Sequence, residues 1–174
     1  MTKLLFLDID GVLNAHAPID PDVGSATLDR CKVELLNGVL KTTGAKVVIS
    51  SAWRYLVHRR DMTIDGLDWL LRSHGLLAGR IAGITREDVM VSRGDGSTPW
   101  PMANERGRQI TDWLDVFKHR KGVISRYAAV DDLDLGISEA GHPFVHVDGR
   151  VGLTDANVID LIEILGRQAV SQTA

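Results

Sequence analysis

The 174-residue sequence holds a single cysteine, Cys31, which excludes an intramolecular disulfide framework and any multi-cysteine zinc site. No apolar run approaches the ~18–20 residues that a membrane-spanning helix needs. The opening MTKLLFLDIDG has a short apolar stretch, but acidic residues follow it and no small-residue cleavage site is present, so it does not read as a signal peptide. Internal repeats and low-complexity tracts are missing as well. A chain-wide basic balance is also absent: the formal net charge is −3, which removes the usual footprint of nonspecific nucleic-acid binding. With 44% hydrophobic residues and so little net charge, the chain is not disordered. Together these absences lead us to expect a cytoplasmic protein with no membrane segment.

What remains is an ordinary globular composition, and the length predicts one domain, residues 1–174, with a sizeable core. The charge is unevenly spread. Residues 54–126 carry thirteen basic side chains, eleven of them Arg, against nine acidic, whereas residues 127–174 carry two against eight. The middle of the chain therefore offers a local Arg-rich face, or simply solvated arginines on helices.

Apolar, β-branched runs alternate with helical periodicity. Strands are predicted at Lys3–Leu7, Lys46–Ile49, Arg80–Ile84, Tyr127–Val130 and Phe144–Val147. Helices are predicted at Thr27–Lys41, Asp61–Ser73, Glu105–Phe117 and, capped by Thr154, Asp155–Gln168. Residues 88–104, with Gly94, Gly96, Pro99 and Pro101, read as a long loop. This alternation predicts an α/β fold: a mainly parallel sheet of about five strands covered on both faces, with ligands beyond the carboxyl ends of the strands.

The acidic and hydroxyl residues sit at those ends. FLDIDGVLN places Asp8 directly after the first strand and Asp10 two residues on, so both carboxylates point to one side of an extended chain. Carboxylates there need a cation or donors to neutralise them, and Gly11 allows the backbone to depart sharply. The plain alternative is a surface turn after an edge strand. VVISSAWR ends the second strand in Ser50 and Ser51, whose hydroxyls and backbone N–H groups suit a phosphate oxygen, with Arg54 as a clamp. Ser51 can instead cap the following helix. Gly11 joins Ser50, Ser51 and Arg54 in the candidate phosphate-binding set. AVDDLD crowds Asp131, Asp132 and Asp134 after the fourth strand, and an oxygen-only set of this kind favours magnesium over softer metals.

In order, spacing and strand-end placement, these three motifs resemble the haloacid dehalogenase (HAD) superfamily of phosphohydrolases. More closely, DIDGVLN, VVISSAWR, ERGRQITDWL, AVDDLD and GLTDANVIDLIEIL resemble the small HAD domains found with bacterial and phage RNA-repair proteins, across nearly the whole chain. The resemblance implies a Rossmann-like three-layer α/β sandwich. It implies that Asp8 is the nucleophile that forms an aspartyl-phosphate, and that Asp10 is the general acid and then the general base. Ser50 would bind the phosphoryl group. Asp132, with Asp131 beside it, would hold Mg2+ together with Asp8 and the Asp10 main-chain carbonyl. The family's Lys or Arg would be Arg106, with Lys118 and Lys121 as competitors; a lysine is commoner at that position across the superfamily.

HAD enzymes usually carry a cap domain after the first or second motif strand. Here about thirty residues separate Leu13 from Ala45, and residues 55–105 leave too little chain for a separately folded cap. An open site suits a bulky substrate, so a phosphorylated DNA or RNA end is expected, with 3′-phosphatase activity preferred. A phosphatase of nucleotides or other small phosphoesters is the alternative. A phospho-accepting receiver-like module is a rival from another class, and the DxD pair argues against it because an acid beside the nucleophile promotes turnover.

Other polar and aromatic residues receive plainer readings. Pro143 disfavours a helix between His142 and His146, so no metal pair is expected there. His16 is either a substrate contact or a solvated turn residue, and His58, Arg59 and Arg60 are a solvated face or a phosphate track. Trp100 is a hydrophobic anchor or a stacking platform. Trp69 and Trp113 are expected in the core.

Overall fold

Side chains alternate across a strand, so a strand whose residues are apolar at every position must be covered on both faces. The computed structural model describes residues 1–14, 28–87, 90–91, 100–101, 105–121 and 123–166, and it shows that arrangement. Strands β1 (Thr2–Leu7), β2 (Lys46–Ile49), β3 (Ile81–Ile84), β6 (Ile124–Asp131) and β7 (Phe144–His146) form one parallel sheet in the order β3-β2-β1-β6-β7. Leu5 and Leu7 of β1 pack on one face with Val47, Ile49, Ala128 and Val130. Their cover comes from α1 (Arg30–Thr43), α3 (Ile64–Ser73) and α5 (Asp155–Leu165), through Leu36, Leu40, Leu67, Leu71, Leu161 and Leu165. Leu4 and Phe6 face the other way, with Val48 and Ala129, onto Ile110 and Leu114 of α4 (Glu105–Lys121). The expected Rossmann-like three-layer α/β sandwich is the fold observed.

Local signals set the helix ends. Asp29 caps α1 by accepting from the Cys31 N–H, and Gly44 closes it at φ 73°, where a side chain would be strained. Thr63 caps α3, and Thr154 with Asn157 forms a reciprocal capping box on α5. The structure adds two elements that the sequence reading lacks. One is the short helix α2 (Arg54–His58), too brief to display a period. The other is a two-residue antiparallel pair, β4 (Met90–Val91) with β5 (Trp100–Pro101), inside the stretch read as loop. Trp69 is corrected outright: it is 64% exposed, because the buried stripe of α3 runs through Leu67 and Leu71 and position 69 lies on the opposite side of the helix. Trp113 does pack against the second core, edge-on to Phe6 at 5.5 Å and stacked on Phe117. His16 lies outside the described residues. Within them, no helix is long and apolar enough to cross a membrane.

The start of α4 is anchored from several directions. Arg86 after β3 pairs with Glu105, and at 2.7 Å with Asp112. The Gly107 N–H donates to the Leu135 carbonyl at 3.2 Å, and His142 Nε2 lies 2.9 Å from the Gly107 carbonyl oxygen. Contact at Gly107 is so close that a Cβ there would sit 2.1 Å from the Gly136 carbonyl oxygen. Gly107→Ala should therefore push the helix off the β6–β7 loop and cost about 2 kcal/mol or more. Urea denaturation checks this, and an unchanged midpoint would show that the two backbones are not held together this tightly.

Candidate active site

The register of the three central strands aligns three polar residues. Leu7 stands opposite Ile49 of β2 and Val130 of β6, so the next residues along are Asp8, Ser50 and Asp131. Main-chain bonds continue the ladder there: the Asp8 N–H donates to Val130 and the Ser50 N–H to Leu7, at 3.0 and 2.9 Å. Neighbouring strands lie ~4.8 Å apart, so these side chains share one small space at the carboxyl edge of the sheet. All three are buried, at 6%, 2% and 3% exposure.

Two buried carboxylates in one space need a counter-charge, and Arg106 supplies it from the first turn of α4. Its Nη1 donates to Asp8 Oδ1 at 3.1 Å and to Asp131 Oδ2 at 2.6 Å. This is the cation that the sequence left open among three. Lys118 is exposed and pairs with Asp115, and nothing is described of the Lys121 side chain. Burial and then the Asp131 charge push the Asp8 carboxyl from its ordinary 3.8 up to about 7, against the pull of Arg106. Burial also raises Asp131, with Arg106 and the Leu133 N–H opposing it. Asp8, Asp131 and Asp132 can each bring one carboxylate oxygen within 4.8 Å of the others. With one guanidinium among three carboxylates, the donor set is all oxygen and carries excess negative charge. That combination fits a hard divalent cation.

Ser50 adds a second sign of an absent partner. Its Oγ is buried yet has no hydrogen-bond partner among the described residues. A buried hydroxyl left unpaired is unfavourable, so its place beside Asp8 suits an anion that accepts from it. Asp10 is half-buried and held differently. The Trp53 indole N–H spans its two oxygens at 3.2 and 3.0 Å, while Asn14 Nδ2 donates to Oδ1 at 3.0 Å. Asn14 Oδ1 in turn accepts from the Gly11 N–H at 2.9 Å. Neither Trp53 nor Asn14 was singled out from the sequence. Both follow motif residues directly, but only the fold brings residue 53 onto residue 10.

Several expected phosphate contacts have other tasks. Gly11 supplies the turn, at φ 79°, and its N–H is committed to Asn14. Arg54 is 1% exposed, and its guanidinium donates to the carbonyls of Ser50, Ser51 and Arg86, so it braces the end of β2 instead of standing free as a clamp. Ser51 is fully buried and its Oγ accepts from the Trp53 N–H at 3.3 Å, but the N-cap of α2 is Trp53 and has no side-chain cap, so Ser51 does not cap that helix. Asp10 contributes no side chain to the three-carboxylate cluster. Asp134 is exposed and accepts from the Ser138 N–H. His142 bridges Gly107, Thr111 and Tyr127, His146 meets the Asp132 carbonyl, and His58 the Thr85 carbonyl, so all three are structural. Arg59 and Arg60 are exposed.

Comparison with known proteins gives one match. A family model described as "HAD domain in Swiss Army Knife RNA repair proteins" covers residues 4–158. No curated protein and no solved structure matches the chain.

The electrostatics generate a stability prediction. A carboxyl whose pKa is higher in the folded chain favours folding at low pH, and that contribution is lost as pH rises from about 4 through about 7. Removing Arg106 removes the main influence holding Asp8 and Asp131 down, so the loss should deepen and extend to higher pH. Arg106→Met should cost about 3 kcal/mol at pH 8 in the presence of a chelator, and less than half of that at pH 5. Urea titrations at the two pH values measure this; an equal cost at both would mean that the carboxylates are not stabilised by Arg106.

Proposed function

The chain belongs to the family of HAD domains in Swiss Army Knife RNA repair proteins, and from that premise we propose that it is a magnesium-dependent phosphomonoester hydrolase acting on polynucleotide ends, with a 3′-phosphate preferred. The observation that carries this reading is the juxtaposition of Asp8, Arg106 and the unpartnered Ser50 hydroxyl, with Asp131 and Asp132 alongside. The 3′ preference is supported by chemistry. Sealing a 5′-phosphorylated end through a phosphodiester requires a 3′-hydroxyl on the other strand, so at such a break a 3′-phosphate is a terminal group that has to be removed first.

In this reading, an Asp8 carboxylate oxygen attacks phosphorus and the bond from phosphorus to the sugar oxygen breaks. Asp10 delivers a proton to that leaving oxygen. Water then attacks the aspartyl-phosphate, Asp10 takes a proton from it, and free phosphate leaves with Asp8 restored. Ser50 donates to a phosphoryl oxygen throughout. Arg106 favours the anionic form of Asp8 against burial and the Asp131 charge, and offers its remaining N–H groups to the same phosphoryl group. Asp8, Asp131 and Asp132 would hold Mg2+, which when bound offsets the mutual repulsion of carboxylate and phosphate. The Trp53 and Asn14 donors keep Asp10 in one orientation through both proton transfers. That arrangement favours turnover over storage of a stable phosphoprotein.

A hydrolysis panel with and without magnesium tests the reading, comparing 3′- and 5′-phosphorylated RNA and DNA with mononucleotides. Magnesium-dependent release should be fastest from a 3′-phosphorylated polynucleotide. Faster cleavage of mononucleotides would assign the site to small phosphoesters, and a phosphoprotein lasting hours would assign it to signalling. Asp8→Asn should abolish turnover while leaving the thermal transition intact.

Trp53→Phe keeps the ring but removes the donor to Asp10. For an alkyl phosphate, whose leaving oxygen needs a proton, kcat/KM should fall about tenfold or more. For 4-nitrophenyl phosphate, whose leaving group needs none, it should change by less than about threefold. Equal losses on both substrates would show that Trp53 is structural only.

A further inference from the structure

An open pocket of about 440 Å³ is lined by Ala52, Trp53, Tyr55, Leu56, Arg59, Asp61 and Leu70. These are residues of and flanking α2 together with Leu70 of α3, and the pocket surface is mainly apolar. Trp53 connects this pocket to the chemistry, since the indole that lines it also donates to both Asp10 oxygens. Whatever fills the pocket therefore lies one side chain away from the group that protonates the leaving oxygen. A volume of this size falls within the ~300–1,000 Å³ of small-ligand sites.

The lining identifies the kind of ligand. Trp53, Tyr55, Leu56 and Leu70 provide aromatic and aliphatic wall, and the exposed Arg59 holds its guanidinium 5.5 Å from the Tyr55 ring centroid. Flat, weakly hydrated surfaces of this type take the face of an aromatic heterocycle. Asp61 balances the charge of Arg59 at the exposed rim, so the lining carries no excess positive charge of the kind that would select a second phosphate. Of the parts of a phosphorylated polynucleotide end, only the base has a flat apolar face, and it hangs from the sugar whose oxygen leaves.

We infer that the Trp53–Leu70 pocket is the subsite for the base of the terminal nucleotide, so that the site recognises the nucleoside bearing the scissile phosphate and not the phosphate alone. This rests on the proposed phosphatase reading. Seating the base against Trp53 would also brace the indole that orients Asp10, so a correct end would improve the chemical step as well as binding.

The test uses two oligonucleotides with the same 3′-phosphate, one ending in an ordinary nucleotide and the other in an abasic tetrahydrofuran unit. The whole chain should cleave the base-bearing end with at least a tenfold higher kcat/KM. Leu70→Glu places a charge in the pocket, and should bring that ratio to within about twofold by slowing cleavage of the base-bearing end more than that of the abasic end. Arg59→Ser, at an exposed position that the fold tolerates, should lower the ratio in the same direction. Equal rates on the two ends in the unmodified chain, or equal losses on both in the variants, would overturn the subsite and leave the phosphatase reading standing. No hydrolysis of either end would overturn both.

Discussion

The Arg106 guanidinium between the Asp8 and Asp131 carboxylates is the interaction around which the rest of the structure is arranged. Two carboxylates at the ends of adjacent strands cannot both stay charged in so dry a place without it. Its position is set from a distance. Arg86 holds Glu105, Gly107 lies against the Leu135 and Gly136 backbone, and His142 ties the same turn of α4 to β6 through Tyr127. Each of these contacts aims one side chain. The sheet supplies the anions and a helix from its other side supplies the cation.

That division of labour separates the roles of the two aspartates of the first motif. Asp8 sits in the low-dielectric floor with its charge opposed by burial and by Asp131. Asp10, two residues on, has left the strand and lies half-exposed among neutral donors from Trp53 and Asn14. In the proposed reaction, a nucleophile that must be held close to a cation and an acid/base that must exchange protons with substrate and water call for these two environments. Asp8 directly follows the last strand residue of β1, whereas Asp10 is followed at once by the turn at Gly11, φ 79°.

Much of this was legible from the sequence alone. The five strands, four of the five helices and the strand-end placement of Asp8, Ser50 and Asp131 follow from hydrophobic period and from polar residues that end apolar runs. Arg106 could be ranked first among three cations but not separated from Lys118 and Lys121, because each is near α4 in the sequence and only packing shows which turn faces the site. Trp69 was misplaced for a related reason. Its neighbours Leu67, Leu70 and Leu71 make the segment look apolar all round, whereas the core has room for only one stripe of α3. Arg54 reads as a phosphate clamp from sequence because it is a cation close to the strand-end serines; in the fold it donates to the Ser50 and Ser51 carbonyls at the end of β2.

The sequence by itself determined the α/β architecture and which carboxylates stand at the strand ends, because strand period and the abrupt change from apolar to acidic residues are local properties. Only the tertiary structure decided which cation meets those carboxylates, which hydroxyl is left without a partner and which indole holds Asp10. These depend on groups 25 to 98 residues apart in the chain. Their meeting is governed by register between strands and by the docking angle of a helix, and no local pattern of residues encodes either one.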